Sequence, residues 1–232
     1  MQAIIDGIRQ AITLLLQGDP QVVEITLLSL QVSVSAVLIS MLLGMPLGVM
    51  LALNRFPGRS LVVSAVNAGM GVPPVVAGLA VFLVIARSGP LGDMHIVYTP
   101  AAMVIAQVVI ALPIVAGLTM SAIQQLPPKL RLQTLGLGAS RTQMVVRLLK
   151  ESRLPLLAAV MAGFGGVISE IGAVLMVGGN IKDQTRVLTT ATVQMTRMGR
   201  LDMAIALSVI LMALIFGVNL VLTWIQQSGK TE

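Results

Sequence analysis

Five long apolar runs organise the chain, at approximately 25–53, 61–86, 99–120, 154–179 and 203–226. Each is long enough to cross the hydrocarbon core of a bilayer, which takes about 20 helical residues. The first, Ile25 to Leu53, exceeds that length and is expected to tilt or to extend into the interface. The second carries Gly69, Gly71, Pro73 and Pro74 in mid-span. Proline removes a backbone donor and breaks the helical ladder. At membrane depth such a break is tolerated only under protein or water. This span is therefore expected in the interior, either as a functional break or as an ordinary kink. Ahead of the runs, Ile4, Ile5, Ile8, Ile12, Leu15 and Leu16 recur at helical spacing around Asp6 and Arg9. That pattern predicts an amphipathic helix, lying on the membrane surface or packed on a partner. It has no basic leading region and no small-residue cleavage site, so it does not read as a cleaved signal peptide.

Composition agrees with this pattern. Of 232 residues, 56% are hydrophobic and only 10% charged, with mean hydropathy +0.95. Soluble domains carry about a quarter charged residues, so much of this surface must face lipid. The length predicts a single domain, residues 1–232. With no cysteine, disulfides, thiolate metal sites and cysteine nucleophiles are all excluded.

The net charge of +6 could in a soluble protein indicate nucleic acid. Here the basic residues lie between apolar runs, so topology explains them and no nucleic acid partner is expected. With the N-terminus outside, the inner segments hold Arg55, Arg59, Lys129, Arg131, Arg141, Arg147, Lys150, Arg153 and Lys230. The outer ones hold Arg9, Arg87, Lys182, Arg186, Arg197 and Arg200. The segment 121–153 decides the sign, with six basic residues against Glu151 alone. The prediction is N-terminus outside and C-terminus inside, with the basic outer segment 180–202 needing its own explanation.

Segment 121–153 is too long to be a mere connector. Pro127 and Pro128 end the third span. Leu130–Leu135 and Ser140–Leu149 then read as short helices punctuated by Gly136 and Gly138, with Ser140 as an N-cap. Pro155 marks the first turn of the next span. A basic, partly apolar helix–glycine–helix element on the inner face has two readings. It is a knob for a soluble partner, or an interfacial helix held to anionic lipid.

The run Thr134-Leu-Gly-Leu-Gly138-Ala-Ser-Arg141, followed by Arg153-Leu-Pro155, resembles the cytoplasmic coupling loop of bacterial ABC-importer permeases. Where that family has Glu-Ala-Ala, this chain has Leu132, Gln133 and Thr134. The interval from Gly138 to Pro155 is about four residues longer than in many importers, one helical turn, so the helix faces stay in register. The run from Phe164 through Glu170 to Asn180 and Ile181, with Thr185-Arg186-Val-Leu-Thr189, is similar to the oxyanion branch of these permeases: molybdate, sulfate and especially tungstate.

The resemblance implies an all-α membrane protein of the type I ABC-importer permease fold, with a cytoplasmic coupling helix and about five transmembrane helices. It implies a transport subunit of the bacterial inner membrane rather than an enzyme. Two copies would form the pathway as a homodimer. A binding protein would deliver tungstate or molybdate outside, and separate ATP-binding subunits would grip the 121–153 loops inside. Another substrate (sulfate, phosphate or an amino acid) is the alternative, and a non-transporting scaffold is the more distant one. Contacts with the ATPase would come from Gln133, Thr134, Gly138, Ala139, Ser140, Arg141 and Pro155. No Walker sequence is present, so ATP and Mg²⁺ belong to the partner and this chain needs no cofactor of its own.

The candidates for the pathway or its gate are Pro73, Pro74, Glu170, Gly172, Asn180, Lys182 and Arg186. Glu170 is the lone acid inside a span, where a charge costs about 2.5–3.5 kcal/mol on insertion scales. Gly163, Gly166 and Glu170 recur at i, i+3 and i+7, which predicts one helix face turned toward protein. Glu170 is then a hydrogen-bonding or ion-pairing organiser of the gate, or a protonated structural acid. It is not a substrate contact, because a carboxylate repels an anion. Lys182 and Arg186 would attract an anion from outside, or they dock the binding protein, or they are solvated. Asn180 after Gly178-Gly179 reads as a helix C-cap feature, with donation to a passing oxyanion as the alternative. The 15 methionines do not cluster with His95, the lone histidine, so packing explains them and no metal site is expected. Intramembrane proteolysis is excluded by the lack of paired aspartates or a Ser/His pair within the spans.

Overall fold

A computed structural model describes residues 2–228. The chain runs through α1 (Gln2–Gln17), α2 (Pro20–Leu53), α3 (Arg59–Met70), α4 (Pro74–Ile85), a 3-10 turn at Gly92–Met94, α5 (Pro100–Gln124), α6 (Pro128–Gly136), α7 (Arg141–Glu151), α8 (Arg153–Ile168), α9 (Gly172–Gly178), α10 (Leu188–Arg197) and α11 (Leu201–Ser228). Lys230, counted above for orientation, lies outside the described residues. Among the described residues, three helices, α2, α5 and α11, are long and apolar enough to span a membrane alone. Two bent pairs, α3–α4 and α7–α8, bring the total to as many as five when each is counted as one span.

The helices begin where their caps allow. Asp19 accepts from Val22 N–H at 3.0 Å, with Pro20 preformed in the first turn of α2. Thr99 and Pro100 do the same for α5. That helix runs to Gln124, beyond the expected end at 120, because the first helix-stopping prolines are Pro127 and Pro128.

The centre of the fold is the α2–α5 pair. Ala36, Ser40, Gly44 and Gly48 recur every fourth residue along α2 and are all buried. A stripe of small residues lets two backbones approach closely. The approach is so close that a Cβ on Gly48 would lie 2.5 Å from Ala116 O and 2.7 Å from Thr119 Cβ. Around this axis sit separate apolar clusters. Val32 joins α4, α5 and α9 at one end. Val49 and Ile123 join Met144 and Leu148 of α7 at the other.

Three expectations are corrected, and one open reading is decided. The second span is broken rather than one kinked helix. It is two 12-residue helices bent by 110° at Gly71–Pro73, because Pro73 and Pro74 cannot continue the ladder. The fourth span stops at Ile168 and resumes as the seven-residue α9. Glu170 therefore lies in the break and shares no helix face with Gly163 and Gly166. Segment 180–202 is not a plain outer loop. It folds into α10, whose Leu188, Thr189, Thr190 and Ala191 are buried. Finally, α1 packs on α11 within the chain through Gly7 and Ala11. Its Ile5, Ile8, Ile12 and Leu16 stay exposed. The small residues allow the close approach, with Leu14 packed beside them. The Ile4 and Leu15 side chains fall outside those described.

Candidate functional site: a capped hairpin and a broken helix

Two regions gather the candidate residues, and α2 measures their separation. Ser29 bonds to α10 and Val49 packs on α7. At 1.5 Å per helical residue they lie about 30 Å apart, the thickness of a bilayer's apolar core. The α6–α7 hairpin and α10 thus belong to opposite faces.

At one end of this axis, α6 and α7 form the helix–glycine–helix element. Gly138 joins them with φ +84°, a left-handed conformation that glycine adopts without penalty. Ser140 caps α7 in a reciprocal box. Gln143 N–H donates to Ser140 Oγ at 3.2 Å, and Ser140 N–H donates to Gln143 Oε1 at 2.8 Å. Met144 and Leu148 turn inward onto Val49 and Ile123, fixing α7 to the α2–α5 axis. The Arg131 guanidinium donates to Leu53 O at 3.3 Å and Arg59 Nε to Leu51 O at 2.8 Å. These bonds satisfy the last carbonyls of α2. Gln133, Gly138, Ser140 and Arg141 are exposed, and Thr134 and Ala139 are half-buried. Leu132 and Leu137, at 69% and 88% exposure, stand out among them as uncovered apolar side chains. Arg147 pairs with Glu151 at 3.6 Å on the same exposed surface. Pro155 does not join this group; it lies past a 71° bend, in the first turn of α8.

Further along the α2–α5 axis, on the α10 side, two helix breaks are stacked on each other. The α4 helix begins at Pro74, and its Val75 contacts Gly172 at the start of α9. One turn further on, a Cβ on Gly78 would lie 2.5 Å from Ala173 Cα. Pro74 and Gly172 are thus brought together, with Glu170 beside them. The Glu170 carboxylate accepts from Ala173 N–H at 3.0 Å, which caps α9. Its backbone carbonyl accepts from Thr189 Oγ1 at 3.1 Å. Buried Gln107 donates to Val167 O at 3.0 Å, on the other side of the break. A broken membrane helix exposes backbone groups that must be satisfied by neighbours, and these three side chains satisfy them.

Beyond α9, Gly179 is the left-handed cap, so Asn180 is not the cap itself. Asn180 is also left-handed, at φ 53°. Its side chain instead links elements: Arg186 Nε donates to Asn180 Oδ1 at 3.3 Å, and Asn180 Nδ2 donates to Gln194 Oε1 at 3.1 Å. Thr185 holds the turn by accepting from Ile181 N–H and donating to Gly178 O. Lys182 and Arg186 share a small concavity with Glu24 and Asp183, so their positive field is partly opposed.

Reading the sequence missed Gln107, Ser29, Thr189 and Gln194. Gln107 carried a usable signal, as a polar amide in the middle of an apolar span. Thr189 stood in the quoted Thr185–Thr189 run without a role, and Ser29 and Gln194 carried no signal, because their partners are distant in sequence.

Residues 44–228 match the family described as the binding-protein-dependent transport system inner membrane component. A probable anion ABC transporter permease protein of Haloferax volcanii is 42% identical, over 85% of this chain and 87% of its own length. The tungstate uptake system permease protein TupB of Peptoclostridium acidaminophilum is 38% identical, over 98% of this chain and all of its own. Among solved structures, an inward-facing form of the MetNI methionine ABC transporter superposes with TM-score 0.74 at 20% identity, over 90% of this chain and 95% of that one. The chain belongs to the family of binding-protein-dependent inner-membrane transport components, and its fold is that of type I ABC-importer permeases. It is a multi-pass inner-membrane transport subunit, of a family that works with ATPase and binding-protein partners.

Proposed function

We propose that this chain forms half of the membrane pathway of an ATP-driven importer that carries tungstate, with molybdate as the close alternative. The observation that carries this reading is the 38% identity to a tungstate uptake permease over the whole of both chains. A second copy completes the pathway, since one chain with about five spans is small for a pore. The N-terminus lies outside and the C-terminus inside, in keeping with the basic segment 121–153. ATP hydrolysis belongs to separate subunits, which grip Gln133, Thr134, Gly138, Ala139, Ser140 and Arg141. Pro155 shapes the start of the helix behind them.

The packing supports a route for coupling. Met144 and Leu148 lock α7 to α2 and α5, so a force on the hairpin moves that axis as a body. The same force passes through α8, which ends at the break around Glu170. There Glu170 holds α9 against α4, and Pro73, Pro74 and Gly172 form the joint that opens or closes. Asn180, Lys182 and Arg186 stand at the outer end of that joint.

Sulfate is the second reading, because a sulfate permease of Synechocystis is 32% identical over 84% of this chain. The test is ATP hydrolysis and uptake in proteoliposomes. They hold this chain with its ATPase, and binding protein loaded with tungstate, molybdate or sulfate is supplied outside. Stimulation by one loaded form names the ion. A chain that copurifies no ATPase and shows no stimulation by any of the three refutes the importer reading.

A further inference from the structure

A concavity of about 220 Å³ opens between α9 and α10, walled by Ile171, Leu175 and Val193. Its polar groups are Thr190, Asn180, Gln194 and Arg197, and no carboxylate lines it; the Thr190 hydroxyl is already used, accepting from Val187 N–H and donating to Val187 O at 3.1 Å. It is many times larger than the roughly 30 Å³ that one water occupies in the liquid. Ile171 belongs to the helix break, so this space adjoins the joint described above.

The hydrogen bonds here have a direction that chemistry imposes. A guanidinium can only donate. Arg186 therefore requires the oxygen of the Asn180 amide, at 3.3 Å. That leaves the Asn180 nitrogen to donate, which requires the oxygen of Gln194, at 3.1 Å. Every acceptor in the relay is used within the protein. What the relay presents at its end is the Gln194 NH₂ group, a donor with no acceptor supplied by the described residues. The Arg197 guanidinium, exposed on the same wall, is a second donor set. A relay that starts on a cation and ends on a donor is polarised so that an anion completes it.

We propose that this concavity is an oxyanion subsite beside the helix break, in which Gln194 Nε2 and the Arg197 guanidinium contact the ion. Asn180 and Arg186 are positioning residues that hold the Gln194 amide with its donors outward. Neutral amide donors and one guanidinium suit a tetrahedral oxyanion, which offers only acceptors. The proposal rests on the reading of the chain as an oxyanion permease and gives that reading a place in the pathway.

The test uses the assembled transporter, with its ATPase and loaded binding protein, in proteoliposomes. Gln194→Glu keeps the oxygen that Asn180 needs, so the relay and the fold survive, but the donors become a carboxylate. Arg197→Gln removes the charge at a surface position. Gln17→Glu, at the exposed end of α1, makes the same charge change away from the concavity. Copurification of the ATPase checks assembly of each variant. Loss of charged hydrogen bonds predicts that Gln194→Glu lowers tungstate uptake about tenfold or more and that Arg197→Gln lowers it by a similar factor. Gln17→Glu should stay within about twofold of wild type. Wild-type uptake in both Gln194→Glu and Arg197→Gln overturns the subsite. An equal loss in Gln17→Glu also overturns it, because the effect is then the field of the whole outer face. A wild-type complex that moves no oxyanion is a different result, and it removes the importer reading on which the subsite stands.

Discussion

Gly48 is the position where the fold leaves least room. A Cβ there would lie 2.5 Å from Ala116 O and 3.0 Å from Met120 N, both backbone atoms of α5. Ordinary contact needs about 3.4 Å, so Gly48→Ala must push α2 and α5 apart locally by about 0.9 Å. A gap of about 0.5–1 Å forfeits a quarter to a half of each dispersion contact across it, and overpacking of this kind costs about 1–3 kcal/mol. We take about 3, because the clash is with helix backbone. Alanine regains about 1 kcal/mol of helix propensity, leaving a net cost of about 2 kcal/mol. That corresponds to a fall in Tm of about 4–8 °C for a chain of this size. Gly165→Ala is the control: it is also within a helix, with nothing within 4 Å of the new methyl, so it should raise Tm slightly. The assay is thermal unfolding in detergent micelles. Equal melting of Gly48→Ala and Gly165→Ala would refute the close α2–α5 packing.

Other outcomes follow from the two candidate regions. Glu170→Gln keeps an acceptor for Ala173 N–H and should cost about 1 kcal/mol, whereas Glu170→Lys loses the cap and adds a cation in an apolar segment, for about 3 kcal/mol or more. Equal melting of the two variants in micelles would contradict the capping role. Gly138→Trp has open space around it but a strained φ. It should insert into the membrane normally and abolish ATP-driven uptake by obstructing the ATPase, while Gly138→Asn, which tolerates the left-handed region, retains uptake. Normal uptake in Gly138→Trp would remove the coupling assignment. Ser140→Ala removes one half of the capping box, a loss of about 1 kcal/mol. Amide exchange at Gln143 and Met144 should then quicken about fivefold, and unchanged exchange would show that the cap contributes nothing.

The relation between sequence and structure differs from one element to the next. The membrane helices were legible because transfer into lipid is a sum over residues, and a run such as Ile25–Leu53 carries that sum by itself. The break at Gly71–Pro73 and the cap at Ser140 were legible because they depend on a residue's own backbone chemistry. The face drawn through Gly163, Gly166 and Glu170 failed because it assumed an unbroken helix. Small residues at i and i+3 are equally consistent with a helix that stops at Ile168. The break holds because Gln107, Thr189 and the Glu170 side chain satisfy the groups it frees, and those partners lie as far as 60 residues away.

By itself, then, the sequence determined an all-helical membrane protein, its approximate spans, and the helix–glycine–helix element of the inner segment. Only the tertiary structure decided that the first turn of α10 is buried, that α1 docks through Gly7 and Ala11 rather than through Ile5, Ile8 and Ile12, and that Pro74, Gly172 and Glu170 meet at one joint. It alone connected Arg186 to Gln194 through Asn180. Hydropathy is local and additive, so it survives being read along a line. Hydrogen-bond partners and close helix approaches join residues far apart in the chain, and their identity exists only once the helices have packed.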